Sequence, residues 1–315
     1  MKKGIVFYHK SVNIGDDIQS LAAYKLLGDE SVELIDRENL DSFESEEKIR
    51  LLANGWFLHD ASRWPPSDSL NPRFISFHIA KYSNVRKTIL DESLKSYYQK
   101  HGPIGCRDYE TLRLFESIGV EAYYSGCLTL TLPQRKKERS NTIVITDLFI
   151  NNILTGSYAK KVVHKLVPKK YHSQLKLVTH MRNNPDLTIK QKLEEAEQML
   201  DLYASAKLVV TSRIHCALPC LALGTPVIFF DFGYVRKRNR DRFEGILDLM
   251  NTVRPSIPFH ENRRIDKLIK FFGLHRLFFP FIKQLEIDWE NPPPNPEKHK
   301  PIAEKLRKEV EESFG

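Results

Sequence analysis

Short apolar runs bounded by turn residues recur along the chain between segments whose apolar positions fall three and four apart. The runs GIVFYH (4–9), SVELID (31–36), RLLANGWF (50–57) and FISFHIA (74–80) predict strands. NIGDDIQSLAAYKLL (13–27) opens at a polar turn and carries Ile18, Leu21, Ala22 and Leu26 at helical spacing. ESLKSYYQKHG (92–102) and YETLRLFESIG (109–119) predict helices closed by Gly102 and Gly119, with the short strand PIGCRD (103–108) between them. VEAYYSGCLTL (120–130) adds a strand with its terminal loop. Strands that alternate with helices imply parallel pairing and a doubly wound sheet.

The alternation then pauses. LPQRKKERSNT (132–142) is polar and basic, the composition of a linker. It resumes with strands at TIVITDL, LKLVTH, KLVVTS and PVIFFD. Helices are predicted near YAKKVVHKLV, over TIKQKLEEAEQMLDLYASA and RIHCALPCLALG, and at DRFEGILDLMN (241–251). DWENPPPNPEKHKP (288–301) has no periodicity and precedes a charged helix, IAEKLRKEVEESF. The expected architecture is α/β: two doubly wound Rossmann-like domains facing a cleft, with residues 1–135 and 136–290 as the domains and 291–315 as a Pro-rich segment and C-terminal helix.

A chain of 315 residues suits two domains of ordinary size. The 41% hydrophobic and 28% charged residues suit packed cores and a soluble protein. No apolar run is long enough to span a bilayer, and the N-terminus has no signal-peptide pattern, so a cytoplasmic location is expected. Four cysteines, Cys106, Cys127, Cys216 and Cys220, fit reduced thiols; Cys216 and Cys220 share a helix face but lack further ligands, so core packing is expected and no metal. The net charge of +8 favours anionic partners. No nucleic-acid recognition motif accompanies it, so no nucleic acid is expected.

In open parallel sheets, ligands bind where strand ends lead into helices. That rule selects three loops, HKSVNIGDD, GCRDYET and TSRIHC. In the last, Ser212 is the expected N-cap, with Arg213 and His215 in the first helical turn. A cation is disfavoured at that end of a helix unless an anion sits between it and the backbone N–H groups. Arg offers a fork for carboxylate or phosphate, and His can donate a proton. The middle loop supplies Arg107 as a second anion clamp, with Asp108 as an N-cap. The first supplies Asn13, Gly15, Asp16 and Asp17. There Gly15 would let a ligand approach the backbone, and the carboxylates read either as caps or as a base and hydroxyl acceptor.

NIGDDIQSLAAYKLL, PIGCRDYETLRLFESIGVEAYYSGCLTLTL and SRIHCALPCLALGTPVI, in that order and spacing, resemble the polysaccharide pyruvyl transferases over roughly residues 4–250. The resemblance implies a GT-B-like fold and transfer of pyruvate from phosphoenolpyruvate onto a sugar diol as a cyclic ketal, with no cofactor beyond that co-substrate. It places Arg107, Arg213 and His215 on the donor, where Ser212 is expected beside them, and Asn13, Gly15 and Asp16 are expected on the acceptor. His215 would protonate the donor methylene, with Asp16 or Asp17 assisting the sugar hydroxyl. The rival expectations are a GT-B glycosyltransferase using a nucleotide sugar and a non-enzymatic binder of nucleic acid or another anionic polymer.

One stretch points to a further partner. RRIDKLIKFFGLHRLFFPFIK (263–283) interleaves Arg263, Arg264, Lys267, Lys270, Arg276 and Lys283 with aromatic and aliphatic residues. Such a stretch can lie on an anionic membrane surface, where a lipid-linked saccharide would be presented. The alternative is that its aromatics pack into the second domain. Arg236, Lys237, Arg238, Arg240 and Arg242 could extend the same surface or guide an anionic donor.

Overall fold

The structure, a computed structural model, describes residues 1–28, 31–148, 156–232, 240–255 and 274–315. Six strands form the first sheet: β1 (Lys2–Phe7), β2 (Glu33–Asp36), β3 (Ile49–Phe57), β4 (Leu70–Ile79), β5 (Ile104–Cys106) and β6 (Ala122–Tyr124). Their order is β2-β1-β3-β4-β5-β6, and every pair is parallel. The second sheet holds β7 (Ile143–Thr146), β8 (Leu175–Val178), β9 (Leu208–Thr211), β10 (Val227–Phe230) and β11 (Asn251–Val253), ordered β11-β10-β9-β7-β8 and again all parallel. Buried on both faces, these strands are near-continuous apolar runs, as β9 and β10 illustrate with every residue buried. Two Rossmann-like halves result, the GT-B-like arrangement.

The halves share a core. Helix α1 (Ile14–Leu27) belongs by sequence to the first half, yet Ile14, Ile18, Leu21 and Ala22 pack with residues of α6 (Ile189–Ser205) and α7 (Ile214–Ala222), including Leu200 and Leu218. Removing a side chain as buried as Ile18 would cost about 2–5 kcal/mol. The polar linker is also fixed: Arg135 pairs with Glu197 and Asp201 of α6, and Arg139 donates to Ala206 O, Gly224 O and Thr225 Oγ1. This shared packing sets the position of the α1 N-terminus against the second sheet.

Between β4 and β5 lie α2 (Ser83–Ile89), which the sequence pattern did not announce, and α3 (Lys95–His101); α4 (Tyr109–Ser117) follows β5. The helix expected over 241–251 does not form. Short 3-10 turns at Asp241–Phe243 and Leu247–Leu249 lead into β11 instead. Contacts with the first half hold this segment: Tyr124 donates to Gly245 O at 2.6 Å, Tyr109 N to Glu244 O at 3.3 Å, and Arg113 pairs with Glu244 at 2.5 Å. The last helix, labelled α8 here (His299–Phe314), returns to the first half, where Leu306, Val310 and Phe314 pack with Ile5, Leu52 and Leu128. The Pro-rich stretch before it is anchored by Asn295, which accepts from Val227 N and donates to Thr225 O.

Candidate active site

The wall contributed by the second sheet is built on β7, β8 and β9. At the end of β9 the chain turns into α7 with Arg213, not Ser212, at the N-cap. Ser212 Oγ lies instead 2.8 Å from Leu148 O and 2.6 Å from Phe230 O, tying neighbouring strand ends together. It is 1% exposed, so the hydroxyl expected on the donor is buried beneath the site. No side-chain hydrogen bond caps the N-terminus of α7. Asp147, one residue past β7, holds the wall together: its Oδ2 accepts from Arg213 Nε and from His180 N, both at 2.9 Å. The residue has φ of 45°, a left-handed backbone that aims the carboxylate back at both partners.

His215 occupies the first turn of α7. Its Nε2 is buried without a hydrogen-bond partner. Burial first, then the charges of Arg107 and Arg242 and the nearby His180 and His78, hold its imidazole well below the ordinary value. Opposite stands Gly15. A Cβ there would lie 3.1 Å from His215 Cβ and 3.2 Å from both Asn13 Oδ1 and His180 Nδ1. Gly15 therefore serves close packing between the halves, where ligand approach had been expected. The same seam carries the backbone bonds Ile14 N to His180 O and Arg182 N to Val12 O, both 2.8 Å.

From the first sheet comes Arg107, 2% exposed, at the end of β5. Its Nε is buried, carries no hydrogen bond, and lies 3.6 Å from Asp108 Oδ2. Asp108 caps α4 as expected, accepting from Thr111 N at 3.0 Å. It also binds His78 Nδ1 at 2.6 Å. Burial works to raise the Asp108 carboxyl, but His78, Arg107 and the Thr111 N–H hold it below the usual range. His78 is lowered to about 4 by burial and by Arg107 and Arg242, against Asp108. The pair is thus a carboxylate accepting from a neutral imidazole.

The α1 loop divides its residues. Asn13 is the N-cap of α1, accepting from Gly15 N at 3.2 Å. Asp16 is half-buried and accepts from Ser11 Oγ at 2.6 Å and from Asn13 Nδ2 and Gln19 Nε2 at 3.3 Å. Asp17 is fully buried and joined to Arg182 at 2.5 Å. Burial pushes its carboxyl up to about 7 against the opposing pull of Arg182. It works as a latch between the halves, away from the open side of the loop.

The structure thus gathers Gly15, Arg107, Arg213 and His215 around one seam and adds Asp147, His180 and His78, which the sequence reading did not single out, together with Arg242, expected as part of a basic surface or a guide for an anionic donor. Asp147 and His180 follow strand ends, so the rule that selected the other loops applied to them too. Cys216 is buried beside Tyr203, whose hydroxyl meets His180 Nε2 at 2.7 Å. Residues 263–273 of the basic aromatic stretch, and Arg236, Lys237 and Arg238, lie outside the described residues. Of the rest, Phe279 and Ile282 pack into the second half's core, Arg240 pairs with Asp231 at 3.1 Å, and Leu277 and Phe281 are exposed. Among the described residues no helix is long and apolar enough to cross a membrane.

Several known proteins are similar to this chain. A solved structure of a functionally uncharacterised protein from Klebsiella pneumoniae is 14% identical, with 78% of this chain and 88% of that chain covered and a TM-score of 0.46. The wall teichoic acid polymerase TagF is 9% identical over 99% of this chain and 90% of its own, with a TM-score of 0.41. A putative UDP-N-acetylglucosamine 2-epimerase from Listeria monocytogenes is 11% identical over 99% and 97%, with a TM-score of 0.39. No curated protein matches the sequence. The family described as polysaccharide pyruvyl transferase matches residues 13–234, a span that contains the α1 loop, Arg107, Asp147 and the whole of α7. The chain belongs to the polysaccharide pyruvyl transferase family.

Proposed function

We propose that this transferase takes the pyruvyl group from phosphoenolpyruvate and sets it on a sugar diol as a cyclic ketal, releasing phosphate. The observation that carries the reading is the buried, unbonded Nε2 of His215 at an uncapped helix N-terminus, within electrostatic reach of the buried Arg107. A site with this excess of positive charge suits a small polyanion. Arg107 and the outer N–H groups of Arg213 bind carboxylate and phosphate. Arg213 is already oriented by Asp147.

Burial and the neighbouring cations keep His215 neutral. A donor carrying carboxylate and phosphate offsets the charges of Arg107 and Arg242, and the His215 pKa rises. The imidazolium then gives its proton to the methylene carbon, C2 becomes electrophilic, and a sugar hydroxyl attacks it. Phosphate departs with the C2–O electron pair while arginine and helix N–H groups stabilise it, and the second hydroxyl closes the ketal. A thermal-shift comparison tests the donor. Phosphoenolpyruvate is expected to raise Tm and UDP to leave it unchanged; a shift with UDP alone would favour a nucleotide-sugar glycosyltransferase, and a shift with an oligonucleotide alone a polymer binder.

A second element of the reading is presentation of the saccharide on a lipid carrier at an anionic membrane face. Leu277 and Phe281, 64% and 65% exposed, support it. Binding to anionic vesicles should weaken with salt and fall in a Leu277→Ser/Phe281→Ser variant. A protein that stays in the supernatant at low salt contradicts it. Phe279 is unsuited to this test, because it packs into the core.

A further inference from the structure

The strand ends of the first sheet hold a second cluster beside the proposed donor seat. Trp56 on β3 and His78 on β4 are direct partners in the parallel ladder, so their side chains leave the same face of the sheet. A bulge sets this pairing: the register shifts between Ala53 and Gly55, and Gly55 has φ of 103°, with the Tyr8 hydroxyl in the space a Cβ would need. Trp56 is backed by Arg37, whose guanidinium lies 5.0 Å from its ring and 4.7 Å from the ring of Tyr8. His59 and Tyr82 meet Trp56 at centroid distances of 4.6 and 6.1 Å, both steeply inclined. Tyr82 is 44% exposed and the His59 side chain 63%. Glu38 binds both Arg37 and His59, the latter at 3.0 Å.

This is an aromatic wall with polar groups at its rim. Flat apolar rings with hydrogen-bonding neighbours suit a pyranose, which has an apolar C–H face and a hydroxyl edge. Beside the wall stands His78. Its Nδ1 meets the Asp108 carboxylate, which can only accept, so the ring hydrogen sits on Nδ1. Thr111 Oγ1, at 3.3 Å, meets the same nitrogen. Nε2 carries no hydrogen bond among the described residues and keeps its lone pair. A carboxylate that orients an imidazole whose far nitrogen is free is an arrangement that accepts protons from hydroxyl groups.

We propose that the ends of β3 and β4 form the acceptor subsite, where the exposed ring of Tyr82 receives one face of a neutral hexopyranoside, Trp56 flanks it at a steep angle, and Nε2 of His78 draws the proton from its attacking hydroxyl. The assignment rests on the donor reading for its reaction. It places the acceptor away from Asn13 and Gly15, which cap and pack α1. The hydroxyl oxygen bonds to C2 as its proton passes to His78; the C3 methyl keeps the proton given by His215. Phosphate leaves with the electrons of its C–O bond, and the second hydroxyl closes the ring and gives up its proton, which ends on phosphate. His78 is placed in the catalytic machinery by this step and Tyr82 in binding alone.

Saturation-transfer NMR on the full-length protein tests binding without turnover, using methyl β-galactopyranoside, methyl β-glucopyranoside and methyl β-mannopyranoside as probes. At least one is expected to receive saturation on its axial C–H face. Tyr82→Ala should weaken that binding about tenfold, with Tyr82→Phe restoring it. Tyr82 is exposed, so its removal does not threaten the fold. His78→Gln should keep the NMR signal and phosphoenolpyruvate binding, yet lower kcat about a hundredfold. Equal saturation in wild type and Tyr82→Ala, or none with any probe, overturns the stacking face; a His78→Gln variant with normal kcat overturns the base. Failure of phosphoenolpyruvate to bind the wild type would sink the donor reading and leave the Tyr82-dependent signal standing.

Discussion

The two sides of the candidate site are made of different material. On the second sheet, Asp147, Arg213 and His215 are gathered at strand ends around an uncapped helix, and charge organises them. On the first sheet, Trp56, Tyr82 and the His78–Asp108 pair depend on neighbouring strands in register. In the proposed reading the first kind of wall receives a small polyanion and the second a sugar. The difference teaches how each can be found: an Arg-x-His beside an apolar strand is anomalous within six residues of sequence, whereas a Trp and a His 22 positions apart become neighbours only through a ladder with a bulge.

The sharpest way to break this contrast is to remove the proposed acid. His215→Ala is expected to lower kcat by a hundredfold or more, about 3 kcal/mol or above in barrier, with donor binding changed far less. If steady-state kinetics show normal turnover, the charged wall does not hold the acid. Next is stability against pH. His215 and His78 are held neutral in the fold below the ordinary histidine value, and His78 falls to about 4. Below pH 6.5 each of these imidazoles binds its proton in the unfolded chain and not in the native one, so each lowers stability as pH drops, by up to about 1.4 kcal/mol per unit, while the carboxyls of Asp17 and Glu309, both raised to about 7, act in the opposite direction. Denaturant titrations from pH 7 to 4.5 should show His78→Gln losing less stability on acidification than the wild type. An identical pH dependence in the two proteins would contradict the His78 assignment.

Arg213→Lys comes third. It keeps the charge but loses the fork that bonds Asp147 and an oxyanion together, so a loss in kcat/KM of about tenfold or more is expected with the fold intact by circular dichroism. Gly15→Ala is smaller, a reduction of several-fold, because the added methyl presses on His215 and His180 without touching substrate. Asp16→Asn should be smallest, about twofold or less and without a change in the pH profile. It tests the first sheet's wall from outside, since a collapse of activity there would return the base to the α1 loop in place of His78.

What the sequence disclosed follows the same division. The alternation of buried strands and amphipathic helices made both parallel sheets legible, because each β run and each helix face is a local pattern. Arg107, Arg213 and His215 were legible from their strand-end positions. Ser212 was misread as a cap, because a serine before a helix looks the same whether its hydroxyl turns to the helix or, as here, to Leu148 and Phe230 carbonyls. The helix expected over 241–251 failed for a tertiary reason, the pull of Tyr109, Arg113 and Tyr124 on Glu244 and Gly245. Asp17 looked identical to Asp16 in sequence, and only the approach of Arg182 from the other half distinguishes a latch from an open carboxylate.

The proposed reaction depends most on His215 changing its protonation when the donor arrives. The direct measurement is a pH titration of the imidazole 15N shifts in histidine-labelled protein, assigned with His215→Gln, with and without phosphoenolpyruvate. The expected result is a pKa well below 6.5 in the free protein that rises when the polyanion binds and offsets Arg107 and Arg242. A His215 pKa that stays put while phosphoenolpyruvate binds would contradict the placement of the donor at this histidine.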